Sequence, residues 1–242
     1  MRLNLKYITL ALSSIALANA KLIMIIRHGE KVNDKETDLS ATGKARAYCL
    51  SEAFGPDGKF ATPSKIYAQS PSEKKQSTRP RDTVQPLADL LHMNVDLSYT
   101  SGQVKKLAKD VEGSNDEVVL ISWSNDNIPD IAEKFGITNP PEWNSNTFDE
   151  IWVLSDGTTS YYKNDLTKRL TYTGTDGLNM EIIKQDVEAC IEENKYNYGY
   201  EEEQQSKKSK NKKSGSPSSV HFSSSLYVAI AGVFIYFIAA HY

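Results

Sequence analysis

The sequence predicts an α/β fold: a three-layer α/β/α sandwich with a mostly parallel central sheet. Three observations carry that expectation. Leu22-Ile23-Met24-Ile25-Ile26 is an unbroken apolar run, the pattern of a strand buried on both faces. Val118-Val119-Leu120-Ile121 is a second run, rich in β-branched residues. Around them strand-like and helix-like stretches alternate along the chain, as in layered α/β domains.

The elements follow in order. The first strand ends in Arg27-His28-Gly29-Glu30, so a cation, an imidazole and a flexible residue fall where a parallel strand meets its loop. Open α/β sheets bind ligands at that carboxyl end, and Gly29 lets the chain turn there without a Cβ clash. Leu39-Ser40-Ala41-Thr42-Gly43 opens a helix from Thr42 to Phe54, with Ser40 or Thr42 as its N-cap. Pro63 to Ala68 reads as a short second strand. A helix from about Arg81 to Leu91, an extended piece from Val95 to Leu97 and a helix from Gln103 to Val111 come next. Val118 to Ile121 is the strong strand, and Pro129 to Phe135 the helix after it. Phe148 to Leu154 and Thr158 to Tyr162 read as antiparallel edge strands or a hairpin. There is no internal repeat.

The two ends carry sorting signals. Arg2 and Lys6, the apolar stretch Tyr7 to Ala16 and the small residues Ala18-Asn19-Ala20 compose a signal peptide over residues 1–20. Near the other end, Ser214-Gly215-Ser216, a polar spacer from Pro217 to Ser225 and an apolar tail from Leu226 to Ala240 have the layout of a glycosylphosphatidylinositol (GPI) lipid-anchor attachment signal over 214–242. Ser214 or Gly215 would take the anchor. A single spanning helix is the alternative, although the tail falls short of the ~20 apolar residues a bilayer requires. Residues 201–213, with Glu201-Glu202-Glu203 and then Lys207, Lys208, Lys210, Lys212 and Lys213, show no periodic apolar face and read as an unfolded charged linker. The domain itself is thus expected over residues 21–200.

Cys49 and Cys190 are the only cysteines. In an oxidising compartment an even pair reads as one disulfide between an early helix and the C-terminal segment, with two buried thiols as the alternative. No Cys/His cluster capable of holding a metal occurs, and no cofactor is expected. With a net charge of −3, nothing points to nucleic acid as a partner. Oligomeric state is not legible.

Arg27-His28-Gly29-Glu30 directly after an apolar strand resembles the signature of the histidine phosphatase superfamily, which includes the phosphoglycerate mutases. The resemblance implies that His28 is the nucleophile accepting a phosphoryl group and that Arg27 binds the phosphate. Tyr67-Ala68-Gln69-Ser70-Pro71, followed by Arg79-Pro80-Arg81-Asp82-Thr83, is similar to the family's second block, in which an arginine opens a helix with a threonine a few residues on. It implies Arg79 as the second phosphate ligand, with Arg81 as the fallback. Arginine suits the part, since its planar fork stays charged and donates two parallel bonds to phosphate oxygens. Leu39-Ser40 with Gly43 and Arg46-Ala47 resembles a Leu-Ser-x-x-Gly element, whose job would be packing and loop placement.

The third block departs from the pattern. Ser122-Trp123-Ser124-Asn125-Asp126-Asn127-Ile128-Pro129 resembles a fungal-type branch with a tryptophan, an acidic residue, a histidine and then Ile-Pro. Asn125 stands where that second histidine is expected, and Ser124 replaces the acidic residue. Asn125 can donate a hydrogen bond but cannot carry charge or shuttle a proton. Trp143 and Phe148-Asp149-Glu150-Ile151-Trp152 agree with the same branch, so the resemblance spans most of residues 21–155. Of the other histidines, His221 and His241 fall in the removable tail, and His92 sits where a turn is expected. His92 is the remaining candidate for the missing pocket imidazole.

The resemblance implies a cell-surface phosphatase that hydrolyses small phosphomonoesters through a phosphohistidine at His28. Asp126 is then the nearest candidate general acid, with Glu30 and Asp82 as further ones. A catalytically impaired pseudoenzyme that binds phosphate or phospho-ligands is the main alternative, because of Asn125. A purely structural surface protein is the third reading.

Overall fold

A computed structural model of the chain describes residues 21–33, 35–156, 161, 171–174 and 178–213. The signal peptide, the anchor signal and, apart from Tyr161, the expected strand from Thr158 to Tyr162 lie outside those residues. In chain order the elements are β1 (Leu22–Arg27), α1 (Ala41–Phe54), β2 (Lys65–Ala68), α2 (Arg79–Leu90), β3 (Val95–Asp96), α3 (Val104–Gly113) and β4 (Val118–Trp123). They continue as α4 (Ile128–Lys134), β5 (Glu150–Ser155), β6 (Thr171–Thr173), β7 (Asn179–Lys184), α5 (Glu188–Asn194) and α6 (Tyr200–Lys213).

The strands form one sheet in the order β3-β2-β4-β1-β5-β7-β6. β3, β2, β4 and β1 are mutually parallel, β5 runs against β1, and β7 and β6 each reverse again. Five strands therefore point one way and β5 and β6 the other, so the sheet is mostly parallel. Every residue of β1 is buried, which its apolar run demands, because the alternating side chains feed two separate cores. Leu22, Met24 and Ile26 pack with Leu50 and Phe54 of α1 and Val84 and Leu87 of α2. Ile23 and Ile25 pack on the other face with Leu107 and Val111 of α3 and Ile128 and Ile131 of α4. Helices thus cover both faces of the sheet, which makes the three layers.

Local signals explain the helix starts. Ser40, not Thr42, is the N-cap of α1, its Oγ accepting the Gly43 N–H at 3.1 Å. α2 begins at Arg79 rather than Arg81 because Pro80 fits a first helical turn, where its missing N–H goes unneeded. Cys49 on α1 and Cys190 on α5 are joined by a disulfide, within the same core as the even residues of β1.

Two expectations are corrected. β5 is no edge strand, since it lies between β1 and β7. Ile151 and Val153 enter one core and Trp152 and Leu154 the other, so both faces need cover and both edges are paired. Its neighbour β7 comes from much later in the sequence, and β7, β6 and α5 were not expected at all. Residues 201–213 are also not unfolded: they belong to α6. They lack an apolar face, as read, but their charge order favours a helix. Glu201, Glu202 and Glu203 occupy the first turn and the lysines come later, matching the helix dipole. Within the domain, Glu203 Oε2 accepts the Ala41 N–H at 2.8 Å. No helix among the described residues is long and apolar enough to cross a membrane.

Candidate functional site

The parallel strands bring their carboxyl ends to one edge. Arg27 is in register with Trp123, and Ala68 with Ser122. The ladder continues one residue further, with His28 N donating to Trp123 O and Gln69 N to Ser122 O, both at 3.0 Å. These ends floor a cleft of about 440 Å³, walled by residues after β1, before α2 and after β4. Arg27, His28, Arg79, Asn125 and Asp126 all line it. Five residues chosen from the sequence therefore meet in one place.

His28 is buried, 5% exposed. Its Nδ1 stands 2.8 Å from Gly29 O. A carbonyl only accepts, so Nδ1 carries the proton and the free lone pair of the ring belongs to Nε2. Burial pushes the imidazole pKa down to about 4, with Arg79, Arg27 and Lys31 acting in the same direction against the pull of the Gly29 carbonyl. At neutral pH the ring is uncharged and nucleophilic at Nε2.

The loop bearing His28 is held closely. Gly29 N donates to Thr83 Oγ1 at 2.8 Å, and Ser40 N donates to Glu30 O at 2.9 Å. A Cβ on Gly29 would lie 3.0 Å from Gly43 O, and one on Gly43 would run into the backbone of Glu30. Close approach of the loop to the start of α1, rather than a positive φ, is what these two glycines allow.

Both arginines present fixed charge. Arg27 is 4% exposed; its Nη1 donates to Ser145 O and Thr147 O, and its guanidinium lies 3.9 Å from the Phe148 ring centroid. These are carbonyl and ring contacts, so no carboxylate among the described residues forms an ion pair with it, and its buried Nε has no partner there. Burial and nearby Arg79 lower its pKa to about 10 although Glu30 and Asp126 raise it, so it stays protonated. Arg79 Nη1 donates to Glu36 O at 2.8 Å. Two cations that repel each other beside a buried imidazole are an arrangement an anion would relieve.

Asn125 opens a 3₁₀ turn, Asn125–Asn127, directly before α4. Asp126 Oδ2 pairs with Lys75 Nζ at 2.7 Å. Burial alone would raise that carboxyl, but the hydrogen bond and charge of Lys75 prevail, aided by the Asp126 backbone N–H and Ser124, and hold it below the usual carboxylate range. In that state Asp126 has no proton to give.

The other candidates lie elsewhere. Glu30 does not line the cleft; Arg46 takes both its oxygens, at 2.7 Å from Nη2 and 3.1 Å from Nε, while Arg46 Nη1 donates to Gln185 Oε1. Asp82 accepts from Thr78 Oγ1 at 2.6 Å and pairs with Arg81 at 2.6 Å. Arg81 and Asp82 line a separate cleft with Leu39, Pro86 and Tyr198, so Arg79 is the arginine of this site. His92 has a φ of 54° and forms the turn that ends α2, its N–H donating to Asp89 O; it does not line the cleft.

Three contributors were given no role of their own from the sequence, although Thr83 belongs to the second block. Gln69 is 1% exposed and lines the floor. Its Oε1 accepts from Ser124 N at 3.3 Å and Ser124 Oγ at 2.6 Å, which turns its amide NH₂ the other way. Its position just past β2, matching that of His28 past β1, was the available signal. Thr83 Oγ1 also donates to Arg79 O at 2.7 Å, linking the two arms of the site. Lys75 sits in an irregular loop and carried no signal. No group of three His, Cys, Asp or Glu that could hold a metal occurs among the described residues.

No family model matches the chain, and no curated protein does. Solved structures do resemble it. One is a candidate alpha-ribazole-5'-P phosphatase from Escherichia coli K-12, at 10% identity and a TM-score of 0.43, covering 62% of this chain and 100% of that one. Another is a candidate phosphohistidine phosphatase, SixA, from Agrobacterium tumefaciens, at 14% identity and a TM-score of 0.36, covering 61% of this chain and 99% of that one.

Proposed function

We propose that this chain is a hydrolase of small phosphomonoesters, of the histidine phosphatase type, with His28 as nucleophile. One observation carries the reading: a neutral buried imidazole, tautomerically set by Gly29, lies in the same cleft as the repelling cations Arg27 and Arg79. The Nε2 lone pair would attack phosphorus as the bond to the leaving oxygen breaks and that oxygen takes up a proton. Water would then attack the phosphohistidine, the P–N bond would break, and phosphate would leave with the imidazole neutral again. Arg27 and Arg79 would stabilise the equatorial oxygens, the main electrostatic demand of phosphoryl transfer. Asn125 and Gln69, which line the same cleft, would donate hydrogen bonds to that group.

A second reading rests on a specific observation. Asn125 cannot relay a proton and Asp126 is held ionised by Lys75, so the step that protonates the leaving oxygen is weakly served. A cleft of this kind can bind a phospho-ligand and turn it over slowly or not at all.

The chain is further proposed to be exported and held at the outer face of the membrane by a lipid anchor at Ser214. The Cys49–Cys190 disulfide supports an oxidising compartment, and the sequences of both ends support the route.

The test is hydrolysis of small phosphomonoesters by the full-length protein beside His28→Ala and Asn125→His. Hydrolysis should fall on the order of 10³-fold or more in His28→Ala and rise in Asn125→His. Phosphate binding without hydrolysis in the wild type, with hydrolysis gained in Asn125→His, would favour the second reading. Hydrolysis unaffected by His28→Ala would refute the first.

A further inference from the structure

We infer that Arg46, a residue of α1, is a positioning residue of the proposed hydrolysis: it fixes the peptide that faces His28 and, through Gln185, the segment that grips Arg27. The inference rests on the phosphatase reading above and deepens it, assigning what holds the nucleophile and the first arginine in one geometry.

The first arm runs to His28. The carbonyl that stands 2.8 Å from His28 Nδ1 belongs to the peptide joining Gly29 to Glu30. Gly29 brings no side chain to hold that peptide, so Glu30, on its other side, orients it. Glu30 is held twice, its carbonyl by the Ser40 N–H at 2.9 Å and its carboxylate by Arg46. Arg46 Nη2 donates to Oε1 at 2.7 Å, and Nε lies 3.1 Å from both oxygens. The two side chains are only 7% and 20% exposed, and a planar fork on a carboxylate fixes direction as well as distance.

The second arm runs to Arg27. Arg46 Nη1 donates to Oε1 of the fully buried Gln185 at 3.0 Å. With its oxygen so engaged, Gln185 turns its NH₂ group to Phe148 O at 3.0 Å and Glu150 O at 3.3 Å, while its backbone N–H donates to Asp149 O at 2.6 Å. Three successive carbonyls are thereby held. They follow Ser145 and Thr147, whose carbonyls accept Arg27 Nη1, and they fix Phe148, whose ring lies 3.9 Å from the Arg27 guanidinium and 6.5 Å from the His28 ring.

Arg46 joins the two arms, and its own place is firm. Cys49, one turn further along α1, is bonded to Cys190 of α5, and Glu188 at the start of α5 sets a carboxylate 3.9 Å from Nη1. A lysine at position 46 would supply the charge but not the fork, so it could not hold Glu30 and Gln185 in these directions at once.

The experiment compares the full-length wild type with Arg46→Lys and Gln185→Met. Its readouts are nitrogen NMR of the His28 ring at neutral pH (assigned by its loss in His28→Ala), affinity for inorganic phosphate, and kcat for a small phosphomonoester. The wild type should show a neutral ring with its proton on Nδ1. Arg46→Lys should show the proton shared between Nδ1 and Nε2 and a kcat lower by about tenfold or more, since a misplacement of about 1 Å can cost on the order of 10²-fold. Gln185→Met keeps the backbone bond to Asp149 and removes both side-chain links. It should weaken phosphate binding by about threefold or more, a fraction of one charge-assisted hydrogen bond, and leave the His28 proton on Nδ1. Should Arg46→Lys fail to fold, Glu30→Gln, which removes the paired charge and keeps one acceptor, replaces it with the same expectations. A single Nδ1–H tautomer with wild-type kcat in the folded position-46 or position-30 variant, or wild-type phosphate affinity in folded Gln185→Met, overturns the inference and leaves the phosphatase reading standing. A wild type that neither binds phosphate nor hydrolyses the ester refutes that reading instead, and the His28 tautomer still decides the first arm.

Discussion

The hydroxyl of Thr83 accepts the backbone N–H of Gly29 at 2.8 Å. The same hydroxyl donates to the carbonyl of Arg79 at 2.7 Å, so one buried side chain ties the loop of the nucleophile to the turn of the second phosphate arginine. Thr83→Val keeps the shape and removes both bonds, leaving the buried Gly29 N–H without this acceptor. It should lower unfolding stability by about 1–3 kcal/mol, with Thr83→Ser recovering most of the loss. Denaturant titration of the three proteins measures this, and equal stability of the valine variant would mean the bonds contribute nothing.

Acid should weaken the fold through His28. The imidazole sits at about 4 in the folded protein and at about 6.5 in an unfolded chain. Its folded value is the lower, so between about pH 4 and 6.5 the unfolded chain binds more protons and stability rises with pH. The effect is complete below about pH 4, absent above about pH 6.5, and worth about 3 kcal/mol between those limits. His28→Asn has no such group, so the gain in stability from about pH 4.5 to about pH 7 should be larger in the wild type. Parallel pH profiles would show that the buried imidazole does not set this window.

Gly43 should tolerate a side chain less well than Gly29. An alanine at position 43 would strike the Glu30 carbonyl and lie 2.9 Å from its nitrogen, whereas at position 29 the contacts start at 3.0 Å. Gly43→Ala should therefore lose about 1–3 kcal/mol of stability and Gly29→Ala less. Thermal unfolding of both variants gives the order, and the reverse order would contradict the described approach of loop to helix.

Loss of the Cys49–Cys190 bond should be costly. It spans 141 residues of sequence and ties α1 to α5, so the unfolded chain gains much freedom without it. Cys49→Ala with Cys190→Ala should lose about 2–5 kcal/mol, seen as a lower melting temperature that reductant does not lower further. A melting temperature equal to that of the oxidised wild type would argue against a stabilising bridge.

The sequence foretold what local pattern controls. β1 and β4 were legible because strands covered on both faces need unbroken apolar runs, and the α1 start because Ser40 announces a cap. Arg27, His28, Arg79 and Asn125 were legible through motif position, and the parallel register of β1, β2 and β4 explains why those positions converge. What stayed hidden depends on pairings distant in sequence. Residues 179–184 mix polar and apolar side chains, and only β5 as a neighbour makes them a strand. The ion pair of Lys75 with Asp126 joins two loops, and neither residue alone forecasts it. Proximity to His28 in sequence made Glu30 a further acid candidate, but it says nothing of Arg46, which claims that carboxylate from α1.

The most direct test of His28 as nucleophile is the mass of the peptide containing it after the full-length protein is mixed with substrate and quenched in alkali, where phosphohistidine survives. The account predicts a phosphoryl adduct on His28, absent from His28→Ala together with the hydrolysis. Hydrolysis continuing in His28→Ala at the wild-type rate, or an adduct on a different residue, would contradict it.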